Sequence, residues 1–221
     1  MNGNANGNGA GTEHPGLSGR VGLDAQAGAC ALDALREFAH LATPIICESR
    51  AELFERLRSG EIDFAFLAVG DSRSGAVIDV YTTLSEEEAA IVGEFVYGQT
   101  GTRFLLLGHG QWAATGLRFQ TDLQAGGIWL DFPVLAQGRT SVLFALPDEP
   151  GALVRALGAI SRRHLNVNKL EMRRPDESRE SCSIAAEIDG YAHDAPVKEA
   201  LDELNRLASD VRVLGAYPAA L

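Results

Sequence analysis

Between Thr140 and Pro218 the apolar residues switch back and forth between strand and helix periods, and the order of those switches restricts how the segment can fold. Ser141 to Leu146 reads as a strand. Pro147-Asp148-Glu149-Pro150-Gly151 is a turn, after which Leu153, Leu157 and Ile160 recur on one helical face. Asn166 to Arg173 reads as a second strand, followed by a turn at Pro175-Asp176-Glu177-Ser178. Cys182, Ile184, Ala186 and Ile188 alternate as in a half-buried strand, and Val197, Leu201, Leu204 and Leu207 mark a second helix. Val211 and Val213 belong to a closing strand. The order βαββαβ is the split-βαβ arrangement of ferredoxin-like folds.

The preceding part alternates more simply. Residues 1–19 read as a disordered tail, because Asn2 to Gly11 is almost wholly Asn and Gly and has no apolar group to bury. Structure is expected from Arg20, with a short strand over Val21–Leu23 and a helix carrying Leu32, Leu35, Phe38 and Leu41. Pro44–Cys47 reads as a strand. Ser49-Arg50-Ala51-Glu52 is a capping box opening a helix over Leu53 and Leu57, and Gly60 stands where a glycine stop belongs. Phe64–Val69 is nearly all apolar, as in a buried strand of a parallel sheet. Gly70–Gly75 reads as a loop, Val77–Leu84 as a helix, and Ala90–Val96 and Arg103–Leu107 as strands. From Gly108 to Gly138 the chain is rich in Gly, Gln and Thr, and a covering hairpin around Gly126-Gly127 is expected. The fold class is therefore α/β: one α/β lobe over residues 20–138, then a βαββαβ domain over 139–221.

Composition narrows the partners. Thirty acids against nineteen bases give a formal charge of −11, which argues against phosphate-driven nucleic-acid binding. The densest basic group, Arg162, Arg163, Arg173 and Arg174, has no interleaved aromatics. No apolar run is long enough to cross a bilayer, and no secretory leader pattern opens the chain, so a soluble cytoplasmic protein is expected. Cys30, Cys47 and Cys182 and the five histidines show no metal-ligand spacing, so neither a metal nor a cofactor is expected.

The last segment resembles an ACT domain, the small amino-acid-sensing module, and in particular that of prephenate dehydratases. Thr140-Ser141-Val142-Leu143-Phe144 followed by Pro150-Gly151-Ala152-Leu153 is similar to that family's first strand and effector loop. Asn166-Val167-Asn168-Lys169-Leu170-Glu171-Met172-Arg173 looks like its second strand, with Met172 and Arg174 in place of the Ser and Pro of a Glu-Ser-Arg-Pro signature. The ending Val213-Leu214-Gly215-Ala216-Tyr217-Pro218 is also typical. The resemblance implies an effector site at Pro150, Gly151, Ala152, Leu153, Asn166, Glu171 and Arg173, for an aromatic amino acid such as phenylalanine held between paired ACT domains. It thus implies a homodimer or a higher homo-oligomer.

The N-terminal part resembles the catalytic region of the same family in a shortened form. Only Gly28 survives from the first Gly-rich loop, and Ala31 stands where a Ser is expected. Ala68-Val69-Gly70-Asp71-Ser72 replaces a Pro-Ile-Glu-Asn-Ser motif. Ile91-Val92-Gly93-Glu94 matches the strand leading to a second lobe, yet Thr102-Arg103-Phe104, similar to the motif that follows that lobe, comes within ten residues. The resemblance implies Thr102 as proton donor and Arg103 as carboxylate holder, on opposite faces of a strand. Asp71 adds a negative charge where a dianionic substrate would sit, and like charges ~4 Å apart repel by roughly 4 kcal/mol near a protein surface. His109 is a nearby candidate for a lost acid. Three functions stay open: weak or altered action on prephenate, a non-catalytic amino-acid sensor, and an enzyme for an amino-substituted prephenate whose ammonium pairs with Asp71.

Overall fold

A computed structural model describes residues 18–71, 75–76, 79–87, 89–98, 101–109, 137–173 and 181–219. The first lobe comprises β1 (Ser18–Asp24), α1 (Gly28–Phe38), β2 (Leu41–Cys47), α2 (Arg50–Ser59), β3 (Phe64–Asp71), β4 (Gly75–Ala76), α3 (Asp79–Glu86), β5 (Ala89–Tyr97) and β6 (Thr102–His109). The second comprises β7 (Gly138–Pro147), α4 (Ala152–Ser161), β8 (Val167–Arg173), β9 (Ser181–Asp189), α5 (Ala195–Leu207) and β10 (Ser209–Pro218).

The first sheet runs β2-β1-β3-β6-β5, with β4 folded back on β3. β1 is parallel to both β2 and β3, whereas β6 is antiparallel to β3 and β5. The apolar run of β3 is thus explained by burial on both faces in a mixed sheet, not in a purely parallel one. α1 covers one face through Ala31, Ala34 and Leu35, packed on Val21, Phe64, Phe66 and Phe104. α2 and α3 cover the other, with Leu53, Phe54, Leu57, Val80 and Leu84 against Ala65, Leu67 and Leu105. The capping box is present in a shifted form: Ser49 Oγ accepts from the Glu52 N–H at 3.2 Å, while Glu52 Oε2 accepts from the N–H of Glu48 at 2.6 Å. Gly60 ends α2 in the left-handed region.

The second sheet has the order β10-β7-β9-β8, all antiparallel, as the βαββαβ pattern requires. Alternation puts Val142, Phe144, Ile184, Ala186 and Ile188 under α4 and α5. The opposite face carries Ala185, Leu214 and Tyr217 into the core of the first lobe, so the second sheet lies on the same face as α2 and α3, beside them. Gly215 allows the closest approach: a Cβ there would stand 2.2 Å from the Ile91 carbonyl oxygen.

Several local expectations shift. β1 begins at Ser18, before Arg20, and residues 1–17 lie outside the described residues. Leu41 does not extend the α1 stripe; it opens β2 and is exposed, because α1 ends at Phe38. Gly70 and Asp71 belong to β3, where β4 pairs with them. The expected hairpin around Gly126-Gly127 and the turn at 175–178 lie outside the described residues.

Arg20 and Asp63 clasp the start of β1 to the entry of β3. Asp63 Oδ2 accepts from the Arg20 backbone N–H at 2.7 Å, and Oδ1 accepts from its Nη2 at 2.8 Å. That hydrogen bonding holds the Asp63 carboxyl below its ordinary range, against burial, which would raise it. A carboxyl depressed in the folded state adds stability above its unfolded pKa, and the gain is lost as pH falls through the folded value. Urea titrations of the wild type and Asp63→Asn should therefore differ fully above roughly pH 4 and converge as the solution is made more acidic. Gly215→Ala should destabilise the chain by about 1–3 kcal/mol, since Ile91 backbone cannot swing aside as a side chain would. An unchanged melting temperature would show that the sheets are not in such close contact.

Candidate functional site

The order β2-β1-β3 reverses at β1. The chain leaves β1 by α1 to reach β2 on one side, then returns by α2, on the opposite face, to β3 on the other side. Such a reversal opens a crevice at the carboxyl ends of the two diverging strands, where open α/β sheets bind ligands. Here those ends are Asp24 and Asp71. β6 runs antiparallel to β3 with Arg103 opposite Gly70, so its first residue, Thr102, arrives at the same end of the sheet. The topology thus brings Asp71 and Thr102 together; the Asp71 side chain itself lies outside the described residues.

Asp24 is buried, and its Oδ1 accepts from the Gln26 N–H at 2.9 Å. Gly28, at φ 65°, then turns the chain into α1. Arg50, the first residue of α2, places its Nε 3.8 Å from Asp24 Oδ2. His109 is at the other end of β6, roughly 23 Å of strand from Thr102, and the structure does not bring the two together.

Arg103 points away from this end. Its Nε donates to Glu94 Oε1, and its Nη2 donates to Glu187 Oε1 on β9 at 2.5 Å. Arg139 Nη1 donates to Glu94 Oε2 at 2.7 Å. Tyr81 donates to Glu187 Oε1 at 2.6 Å and accepts from Lys169 Nζ at 2.9 Å. The Glu94 and Glu187 side chains are only 2% and 3% exposed. Burial would lower the Arg103 pKa, but Glu187, Tyr81, Tyr217 and Glu94 together raise it above the ordinary guanidinium value. Burial and Glu187 push the Tyr81 hydroxyl far up, so it stays protonated as a donor. The guanidinium expected to hold a substrate carboxylate is therefore engaged by two protein carboxylates between the sheets. Opposite-face alternation along β6 separates it from Thr102.

The expected effector residues divide between places. Pro150 and Gly151 are exposed at the entry of α4, with Gly151 at φ 82°; Ala152 is buried and Leu153 packs on the second core. Pro147 pairs with Ser181 and Arg173 with Ser183, so this loop and Arg173 share one end of the sheet, although the Arg173 side chain lies outside the described residues. Asn166 precedes β8 at the opposite end, roughly 23 Å of strand away, and donates to Asn168 Oδ1. Glu171 lies on the face toward the first lobe, with Oε1 3.0 Å from Lys169 Nζ. Within one chain these residues do not form a single pocket. A cavity of about 460 Å³, lined by Glu86, Leu143, Ser183, Asp210 and Arg212 among others, contains none of the site residues expected from sequence.

Sequence reasoning did not single out Asp24, Arg50, Glu187, Arg139 or Tyr81. The available signal was a charge set among apolar strand residues, as at Glu94 in Ala89–Tyr97 and Glu187 in Ser181–Asp189, which calls for a buried partner. Among the described residues, no group of three or more His, Cys, Asp or Glu side chains is placed to hold a metal ion, and no helix is long and apolar enough to cross a membrane.

Comparisons with known proteins agree with this architecture. Residues 26–107 match the family model described as prephenate dehydratase. A bifunctional chorismate mutase/prephenate dehydratase of Aquifex aeolicus is 29% identical over 158 residues, covering 70% of this chain and 38% of the relative. A bifunctional N-acyl-homoserine lactone acylase/prephenate dehydratase of Komagataeibacter europaeus is 32% identical over 80 residues, 36% of this chain and 28% of the relative. The chain thus spans well under half the length of these curated relatives. Among solved structures, GqqA, described as a novel type of quorum quenching acylase, aligns with a TM-score of 0.72 and 27% identity over 90% of this chain and 95% of that one. Prephenate dehydratase from Streptococcus mutans aligns with a TM-score of 0.70 and 22% identity over 92% of this chain and 100% of that one. The enzyme from Arthrobacter aurescens in complex with L-Phe aligns at 0.67 and 18% over 90% and 89%. With its α/β lobe, its ferredoxin-like second sheet and the match over 26–107, the chain resembles prephenate dehydratases in sequence and in fold.

Proposed function

We propose that this chain is a prephenate-dehydratase-like ACT protein of phenylalanine or related aromatic metabolism, with residues 20–138 as a shortened catalytic domain and 139–221 as a regulatory ACT domain. It binds an aromatic amino acid between paired ACT domains and acts weakly, or in altered form, on prephenate. The observation that carries this reading is the convergence of Asp71 and Thr102 at the crevice beside Asp24. In the reaction the ring carboxylate leaves as carbon dioxide, its bonding electrons enter the ring, and hydroxide departs with a proton as water. Thr102 would give or steer that proton. Arg103 contributes by fixing the strand that carries Thr102, and Asp71 favours a substrate bearing an ammonium.

Support for the effector comes from the loop at Gly151 and from the relative solved with L-Phe. Support for pairing comes from β8, an edge strand whose Leu170 and Met172 are 39% and 54% exposed. A second reading is favoured by GqqA and the Komagataeibacter relative: hydrolysis of the amide of an N-acyl-homoserine lactone.

Following phenylpyruvate formation from prephenate, with and without phenylalanine, tests the first reading. Slow turnover that phenylalanine changes is expected, and Thr102→Ala should lower kcat about 100-fold. Phenylalanine binding without turnover would leave a sensor, and release of homoserine lactone from an acylated substrate would favour the second reading. Met172→Asp should convert the dimer to monomer in light scattering; an unchanged mass would move the interface elsewhere.

A further inference from the structure

We propose that Arg50 is a carboxylate-binding residue of the crevice, held in place by Asp24. The inference rests on the crevice being the substrate site, as proposed above. Arg103 is engaged with Glu94 and Glu187 and faces the second sheet, so a substrate acid needs another cation. Among the described residues Arg50 has Asp24 as its one charged partner, at 3.8 Å, too far for a hydrogen bond. Its Nε is buried and has no acceptor among the described residues. Buried N–H groups of native proteins are nearly always paired, so an orphan beside a crevice marks where an acceptor from a ligand belongs.

Position and chemistry agree. The capped start of α2 anchors the residue, since Ser49 Oγ accepts from the Glu52 N–H. Asp24, at the end of β1, is itself fixed by the Gln26 N–H, so it draws the guanidinium toward the point where β1 and β3 diverge. A guanidinium presents a planar fork of N–H donors that fits a carboxylate through two parallel bonds. The side chain is 35% exposed, which leaves part of the fork open to solution. The ligand class is a small organic acid.

The test uses the full chain and watches the Arg50 Nε–H in nitrogen-15 spectra, identified by its loss in Arg50→Gln. Prephenate, phenylpyruvate and benzoate are titrated separately at millimolar concentration. A saturable shift of that resonance with at least one acid is expected, together with affinity weakened about tenfold or more in Arg50→Gln and partly restored in Arg50→Lys. No shift of any arginine Nε–H with any of the three acids overturns the proposal, whether or not the variant folds. Equal affinity in wild type and Arg50→Gln overturns it as well. A shift with phenylpyruvate or benzoate but no turnover of prephenate would sustain Arg50 as the anchor and count against the dehydratase reading alone.

Discussion

Arg103 lies between two carboxylates that water scarcely reaches, one on its own sheet and one on the other. Glu94 supplies the first and Glu187 the second, and Arg139 crosses back from β7 to Glu94. Two acids and two guanidiniums balance in formal charge, which permits their burial; losing one partner of such a set costs about 3–5 kcal/mol because the other is left uncompensated. Hydrophobic burial would press two sheets together in many registers. Directed bonds from one guanidinium to two fixed oxygens select one, and the remaining contacts between the sheets follow from it.

Those contacts are unforgiving. Tyr81 reaches Glu187 only because α3 lies against the second sheet, and Lys169 then reaches Tyr81 from β8. The Lys169 ammonium also stands 4.5 Å above the Tyr81 ring, which adds a cation–π attraction. Tyr217 is fully buried and shares a 2.7 Å hydrogen bond with Ser141, while Gly215 keeps the β10 backbone against that of β5. The second sheet is thus a wall of the first lobe. The residues of β8 that resemble an effector signature are divided by alternation: Glu171 faces this wall, and Leu170 and Met172 face away from it.

Much of the fold was legible in the sequence. The period-2 run Cys182–Ile188 and the helical stripes of α4 and α5 place a four-stranded sheet under two helices with no further information. The cap at Ser49 and the stop at Gly60 bound α2 because they act within a few residues. Strand direction was less legible: the apolar run of β3 suits burial on both faces, but that burial is the same whether the neighbour is parallel, as β1 is, or antiparallel, as β6 is. The site was legible in part. Thr102 and Asp71 were marked by motif resemblance, whereas nothing local marks Asp24 and Arg50 as partners, and they meet only through the crossing of α2 over the sheet.

Periodicity, caps and motifs are local and written in contiguous residues, so the sequence alone marks the elements, the α/β class and the likeness to prephenate dehydratases. The tertiary structure decided the use of the charges. Arg103 and Thr102 are neighbours in the chain, yet one is held between the sheets and the other stands at the mouth of the crevice. Arg50, unremarkable on its helix, becomes the cation beside the strand ends. The physical reason is that a charge's role is set by its partners' distance and by the water excluded around it. Both depend on how strands far apart in sequence are brought side by side.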